Sequence, residues 1–131
     1  MSFVVEHNPL TAVVLKSLLK EKHFSEKGSN SRREEEASYI YFCHYLEDLE
    51  GGVVENLTIA DLLVFFTSCE NIPVMGFEPT PSLHFNCMDI YPTVSTCGHE
   101  LVVPTKYCGD EAKFKQAMTA GLLFYGGYGK K

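Results

Sequence analysis

The sequence has 131 residues, of which 45% are hydrophobic, and this suits a single domain with a buried core. Its 11 Lys and Arg against 17 Asp and Glu give a formal net charge of −6, which argues against binding nucleic acid or an anionic membrane surface. The sequence contains no apolar run of the roughly 18 residues that a membrane span needs, and its start lacks a secretory signal pattern. We therefore expect a cytoplasmic or nuclear protein with reduced cysteines.

The first part of the chain predicts two helices separated by a polar segment. Apolar residues recur at helical spacing over residues 10–22. Residues 25–33 contain only polar, charged and glycine residues, and they predict a loop or hinge. A second helix is predicted over residues 34–50, where Gly51 and Gly52 end it.

The middle of the chain predicts a short helix and then strands. Thr58 and Asp61 match a capping box, and the apolar residues that follow predict a helix through about Phe66. Residues 83–87 alternate between apolar and polar side chains in the manner of a strand, with His84 half-buried. Residues 100–103 predict a second strand.

Near its end the chain predicts one more helix. Asp110 is a suitable N-cap for residues 111–123, and the glycine-rich residues 126–131 predict a flexible tail. The order of elements indicates an α+β fold in which helices pack on a small mixed β-sheet.

The five cysteines show no metal-binding or disulfide pattern. Their odd count and the missing Cys-x-x-Cys pair argue against a disulfide framework and a structural zinc site, and no cofactor is expected. Four of them are interpreted as small buried hydrophobic residues, namely Cys43, Cys69, Cys87 and Cys108.

Cys97 differs from the other cysteines because residues 93–99 are small and polar, which predicts a loop. A thiol on an exposed loop can attack a carbonyl carbon, and His99 is a candidate base or orienting group two residues later. Considered by itself, one loop cysteine without an established partner is weak evidence for catalysis, and an incidental thiol remains an alternative.

Five segments occur in the order and at about the spacing of a known family, namely residues 62–68, 72–77, 83–85, 95–97 and 101–104. Together they resemble the C-terminal lobe (C-lobe) of HECT ubiquitin ligases. That lobe contains an apolar helix, an x-Pro-x-x-Gly-Phe turn, a short strand, a Thr-Cys loop and a Leu-x-Leu-Pro strand. Residues 24–34 also resemble a segment of ligases similar to the G2/M-phase-specific ubiquitin ligase.

The resemblance implies a catalytic role for Cys97. This residue would accept ubiquitin as a thioester from a ubiquitin-conjugating enzyme and pass it to a lysine of a substrate protein. Thr96 matches the residue before the family's cysteine, and His99 would assist nearby. Tyr128 stands fourth from the end of this sequence, where the family often carries a phenylalanine needed for transfer.

The resemblance also implies a domain organisation. Residues 1–24 would form the last helix of the N-terminal lobe (N-lobe), residues 25–33 the hinge, and residues 34–131 the C-lobe. Most of the N-lobe, which binds the conjugating enzyme, is absent, so an incomplete fragment is expected.

One departure from the family leaves other functions open. Gly98 and His99 stand where many members have Phe-Asn. An inactive lobe that binds ubiquitin or another protein is therefore an alternative, as is an unrelated α+β domain.

Overall fold

The fold is known from a computed structural model, which describes residues 11–19, 21–54, 56–67, 77, 80–95 and 99–126. The helices within these ranges are α1 (Ala12–Leu18), α2 (Asn30–Glu50), α3 (Ile59–Thr67), α4 (Glu111–Gly121) and a π-helix (Leu122–Gly126). The strands are β1 (Glu21–Lys22), β2 (Ser82–Asn86), β3 (Thr93–Ser95) and β4 (Glu100–Pro104). None of the described helices is long and apolar enough to cross a membrane.

The strands form one mixed sheet in the order β1-β2-β4-β3. The β1–β2 and β2–β4 pairs are parallel, and the β3–β4 pair is antiparallel. This arrangement confirms the predicted α+β fold with helices on a small mixed sheet.

The two central strands divide their side chains between the core and the opposite face of the sheet. Leu83 of β2 and Leu101 and Val103 of β4 are fully buried in the hydrophobic core. Because successive side chains of a strand alternate between faces, His84 and Glu100 lie on the opposite face. The core side of the sheet packs against the helices, whose fully buried side chains include Phe42, Leu46, Phe66, Phe114 and Met118.

The predicted starts of two helices are confirmed by their hydrogen bonds. The Thr58 backbone N–H donates to Asp61 Oδ2 at 2.8 Å, and the Asp61 N–H donates to Thr58 Oγ1 at 3.3 Å, so the capping box is reciprocal. Asp110 Oδ1 accepts from the Lys113 N–H at 3.2 Å at the start of α4. The helix predicted through residue 123 changes to the π-helix after Gly121.

The C-terminal end predicted for the first helix is wrong. Residues 10–22 were predicted to be helical, but α1 ends at Leu18, and Glu21–Lys22 pairs with β2. Pairing with a distant strand outweighs local helical preference here. Ala12, Leu15 and Leu19 belong to the same core as α2 and α3, and the division of the chain into two lobes stays a prediction.

The predicted loop over residues 25–33 is also shorter in the structure, because α2 begins at Asn30. Ser29 caps this helix, since its Oγ accepts from the Arg32 N–H at 3.1 Å. The polar residues from 30 to 33 therefore form the first helical turn, where polar side chains are common, and only residues 25–29 remain irregular.

The segment between β1 and α2 is held by a buried carboxylate. Glu35 is 8% exposed and accepts from the Ser25 N–H at 2.6 Å and from the Ser25 hydroxyl at 2.7 Å. Arg32 donates to the Ser25 carbonyl oxygen at 3.1 Å and lies 4.5 Å above the ring of Phe24. The predicted hinge is therefore attached to the first turns of α2 in this conformation.

Two of the four cysteines predicted to be buried are exposed. Cys87 follows the end of β2, and Cys108 lies in the turn before α4, so neither lies within a helix or strand that packs on the core. Cys43 on α2 is half-buried, and Cys69 lies outside the described residues.

Gly121, at the end of α4, packs so closely against Pro92 that a larger residue is not expected to fit there. A Cβ at Gly121 would lie 2.7 Å from Pro92 Cδ and 2.8 Å from Pro92 Cγ. We expect Gly121→Ala to lower the free energy of unfolding by about 1–3 kcal/mol through overpacking. In a helix without such a contact, alanine in place of glycine raises the free energy of unfolding by about 1 kcal/mol. Urea unfolding measures the change. A smaller loss in a Pro92→Ala background is expected, and a gain in stability would contradict the predicted clash.

A second prediction compares two neighbouring glutamates on α2. We expect Glu35→Ala to lower the free energy of unfolding by about 1–3 kcal/mol, because both Ser25 donors lose their buried acceptor. Glu36→Ala is the matched control, since that exposed side chain pairs with Arg32 one turn away at 2.7 Å. Its expected cost is less than about 0.5 kcal/mol. Equal losses in the two variants would show that the buried carboxylate does not hold this segment.

Candidate active site

The segment expected to carry the reactive cysteine connects two paired strands. Residues 93–99 were predicted to be a loop, but residues 93–95 form β3, in which Ser95 pairs with Glu100 of β4. Residues 96–99 therefore connect the two strands of an antiparallel hairpin. Of the predicted site residues, Thr96, Cys97 and Tyr128 lie outside the described residues, as does Gly98, so their roles stay predictions.

His99 is the predicted site residue that the structure describes. Its backbone is left-handed with a φ of 51°, and its ring meets the buried Phe77 edge-on at a centroid distance of 5.5 Å. Its carbonyl oxygen accepts from the Ser82 N–H at 3.2 Å. The hydrogen bond connects His99 to β2, and a role for the imidazole as a base stays a prediction.

The face of the sheet opposite the helices carries polar side chains next to this turn. The register places Glu21 beside Ser82, and Ser82 beside Glu100. His23 lies next to this group, because its N–H donates to the Leu83 carbonyl oxygen at 2.9 Å. We call this group the open face, and its members are Glu21, His23, Ser82, His84 and Glu100.

The two histidines of the open face stack on one another. The rings of His23 and His84 are 4.3 Å apart between centroids and nearly parallel, at 6°. His84 Nε2 lies 2.9 Å from Ser82 Oγ and 3.9 Å from Glu100 Oε2. Because both contacts use the same ring nitrogen, these three side chains lack the arrangement of a Ser-His-acid triad, which uses one nitrogen for each partner.

The electrostatics of the open face favour neutral His84. Partial burial and the neighbouring His23 lower the pKa of His84 below its usual value of 6.5, while Glu100 and Glu21 act in the opposite direction. Sequence reasoning identified His84 only as a half-buried strand residue. Its pairing with His23 could not be found from spacing, because the two residues are far apart in the chain and meet through the β1–β2 pairing.

A separate groove lies between α2, α4 and the π-helix. Its volume is about 570 Å³, and its lining is mostly apolar. Tyr45 and Thr119 lie in its wall, joined by a hydroxyl–hydroxyl hydrogen bond of 2.8 Å. Burial raises the pKa of Tyr45 to about 12. Leu123 and Phe124 are exposed at the edge of this groove.

Within the described ranges, no three His, Cys, Asp or Glu side chains come together as metal ligands.

Comparison with known proteins identifies the family. The model of the HECT-domain (ubiquitin-transferase) family matches residues 15–126. The chain belongs to the HECT family. This finding confirms the resemblance drawn from the ordered segments, and the matched region includes the β3–β4 hairpin and residues 96–99.

The chain is also similar to named members of this family. It is 38% identical over 65 residues to the G2/M phase-specific E3 ubiquitin-protein ligases of Macaca fascicularis and Homo sapiens. The protein of the same name from Gallus gallus is 40% identical over 45 residues, or 34% of this chain. The two mammalian matches cover 49% of this chain but only 9% of each relative.

The geometry of the open face predicts how His84 titrates. We expect its pKa, measured by NMR of the imidazole protons, to lie below 6.5. His23→Gln should raise this pKa, because a second ionisable ring is removed, and Glu100→Gln should lower it, because a carboxylate that favours the imidazolium is lost. Shifts in the same direction in both variants would contradict this description of the site.

The same titration affects stability. The unfolded chain binds a proton at His84 before the folded chain does, so the free energy of unfolding should fall as the pH drops below about 6.5. This loss should stop below the lower pKa of the folded protein. His84→Gln should lack this component when urea unfolding is compared across the same pH range.

Proposed function

We propose that the chain acts as the C-lobe of a HECT ubiquitin-protein ligase, in which Cys97 accepts ubiquitin as a thioester and passes it to a substrate lysine. Family membership over residues 15–126 supports this proposal. The observation that carries it is the β3–β4 hairpin, because the residues that connect Ser95 to Glu100 include the Thr-Cys sequence.

The proposed chemistry consists of two acyl transfers. In the first, the Cys97 thiolate attacks the thioester carbonyl of ubiquitin on a conjugating enzyme, a new C–S bond forms, and the enzyme's thiolate leaves. In the second, the uncharged amine of a substrate lysine attacks the new thioester. An amide bond forms, the C–S bond to Cys97 breaks, and the amine proton passes to a base or to water.

The exposure of β3 supports the proposal, because the conjugating enzyme and the substrate that exchange ubiquitin with this chain are both macromolecules. Thr93 and Ser95 of β3, which lead into residues 96–99, are exposed. A protein-bound thioester can approach an exposed strand, whereas it cannot reach a thiol within the core.

The remaining roles in the proposal follow from the resemblance. Thr96 and His99 flank the reactive centre, and Tyr128 assists transfer from the tail. The conjugating enzyme binds an N-lobe, of which residues 1–24 are the last part. Ubiquitin, the conjugating enzyme and a substrate protein are therefore the proposed partners, in the cytoplasm or the nucleus.

A ubiquitin-charging assay tests the proposal. The chain is fused to the N-lobe of a G2/M phase-specific relative and incubated with ATP, activating enzyme, a conjugating enzyme and ubiquitin. We expect an adduct on a non-reducing gel that disappears on addition of a thiol. Cys97→Ser should give an adduct that resists thiol, because an oxygen ester replaces the thioester, and Cys97→Ala should give none.

Two other cysteines serve as matched controls. Cys87 and Cys108 are exposed, so Cys87→Ser and Cys108→Ser test whether any accessible thiol is sufficient. Both variants should keep the thiol-sensitive adduct. Absence of the adduct from the unmodified fusion would contradict the proposal, and ubiquitin binding without an adduct would favour the alternative of a non-catalytic binding module.

A further inference from the structure

The first helix packs into the same core as the elements that follow it. Leu15 of α1 and Leu19 at its C-cap are buried in one hydrophobic cluster with side chains of α2, α3 and the sheet. The Ala12 N–H donates to Glu50 Oε1 at 2.9 Å, which joins the start of α1 to the end of α2. The resemblance counts α1 with the N-lobe, but its side chains complete the core of the C-lobe.

The first strand is held to β2 by its backbone and by side chains on both faces of the sheet. The His23 N–H, directly after β1, donates to the Leu83 carbonyl oxygen at 2.9 Å. The ring of His23 stacks on that of His84 at 4.3 Å, and the ring of Phe24 stacks on that of Phe85 at 5.0 Å. Because His84 and Phe85 are successive residues of β2, these two contacts lie on opposite faces. They oppose both rotation of β1 and its separation from β2.

The segment between β1 and α2 leaves little freedom for a joint. Ser25 is bonded to the buried Glu35 at one end of it. At the other end, the Ser29 N–H and hydroxyl donate to the Glu26 carbonyl oxygen at 3.2 and 2.8 Å and close a turn, in which Gly28 has a φ of 85°. A hinge moves by changing the φ and ψ angles of a few residues. Here those residues lie in a closed turn, which would have to open first.

Movement about this segment would also expose core side chains. Transfer of one fully buried leucine to water disfavours a conformation by at least about tenfold. Removal of both Leu15 and Leu19 from the core therefore leaves an opened form in about one molecule in a hundred or fewer, before the contacts of β1 are added. Rotation about residues 25–33 is strongly disfavoured in this chain.

We propose that α1 and β1 move with the C-lobe during ubiquitin transfer, so that reorientation between the two lobes takes place N-terminal to Thr11 and not about residues 25–33. The inference rests on the proposed function, because the two lobes and their relative movement belong to it. It relocates the joint from the hinge that the resemblance implies, and it makes α1 and β1 part of the unit that carries ubiquitin.

Hydrogen exchange in the unfused chain tests whether these elements open only with the whole domain. The amides of Leu19 and His23, which donate to the Leu15 and Leu83 carbonyl oxygens, are compared by NMR with core amides of α2 and β4. We expect their protection factors to lie within about tenfold of the core values, because all of them exchange through the same opening. A larger deficit confined to α1 and β1 would show that these elements open by themselves, and it would overturn the inference.

Two substitutions on α1 test the same point by a second route. Leu15→Ala leaves a cavity in the shared core, so protection should fall by at least about tenfold in α1 and by the same factor in β4. Val13→Ala is the matched control, because Val13 lies on the same helix but is 70% exposed, and it should change neither. A Leu15→Ala chain that fails to fold while Val13→Ala folds would also support the inference. Loss of protection confined to α1 would contradict it.

The fused protein tests the movement itself. Exchange in the peptide that covers residues 11–24 is followed by mass spectrometry with and without a conjugating enzyme charged with ubiquitin. We expect the same protection in both states, and faster exchange on engagement would show that α1 and β1 separate from the C-lobe. If α1 and β1 share the protection of the core but no Cys97 thioester forms, the proposed function fails although the shared packing stands. If the thioester forms while these elements exchange independently, only this inference is wrong.

Discussion

The parallel pairing of β2 with β4 is the constraint on which the rest of the structure depends. Its register sets Ser82 beside Glu100 and Leu83 beside Leu101. A shift of one residue would turn the buried leucines outward and place polar side chains in the core. The same register directs His84 and Glu100 to the open face, so the packing of the core and the position of the polar group next to the hairpin turn have one cause.

The sequence predicted the helices better than the edges of the sheet. Apolar periodicity and capping residues are local signals, and Thr58, Asp61 and Asp110 confirm them by their hydrogen bonds. The strands β1 and β3 have only two and three residues, and their pairing partners lie elsewhere in the chain. No local pattern could therefore reveal either strand, and both were predicted as parts of other elements.

The cysteines show why residue type alone does not identify a reactive centre. Cys87 and Cys108 are exposed although burial was predicted for both, so exposure of a thiol does not by itself identify a reactive cysteine. Cys97 is proposed as the reactive cysteine because of its position. Residues 96–99 connect two paired strands in a region that belongs to a ubiquitin-transferase family. The open face was missed for a related reason, since His23 and His84 meet only through the pairing of β1 with β2.

The backbone at His99 changes the meaning of the departure from the family pattern. The resemblance aligns His99 with an asparagine, and the structure gives this position a φ of 51°. Asparagine and histidine both belong to the few non-glycine residue types that are enriched in the left-handed region. Either residue type therefore suits the backbone conformation that position 99 adopts here. The imidazole then gains a contact with Phe77, while the carbonyl that β2 holds through Ser82 is present whatever the side chain. A departure that looks like loss of a site in the sequence is thus compatible with the backbone at this position, and the hydrogen bond from the Ser82 N–H does not depend on the side chain.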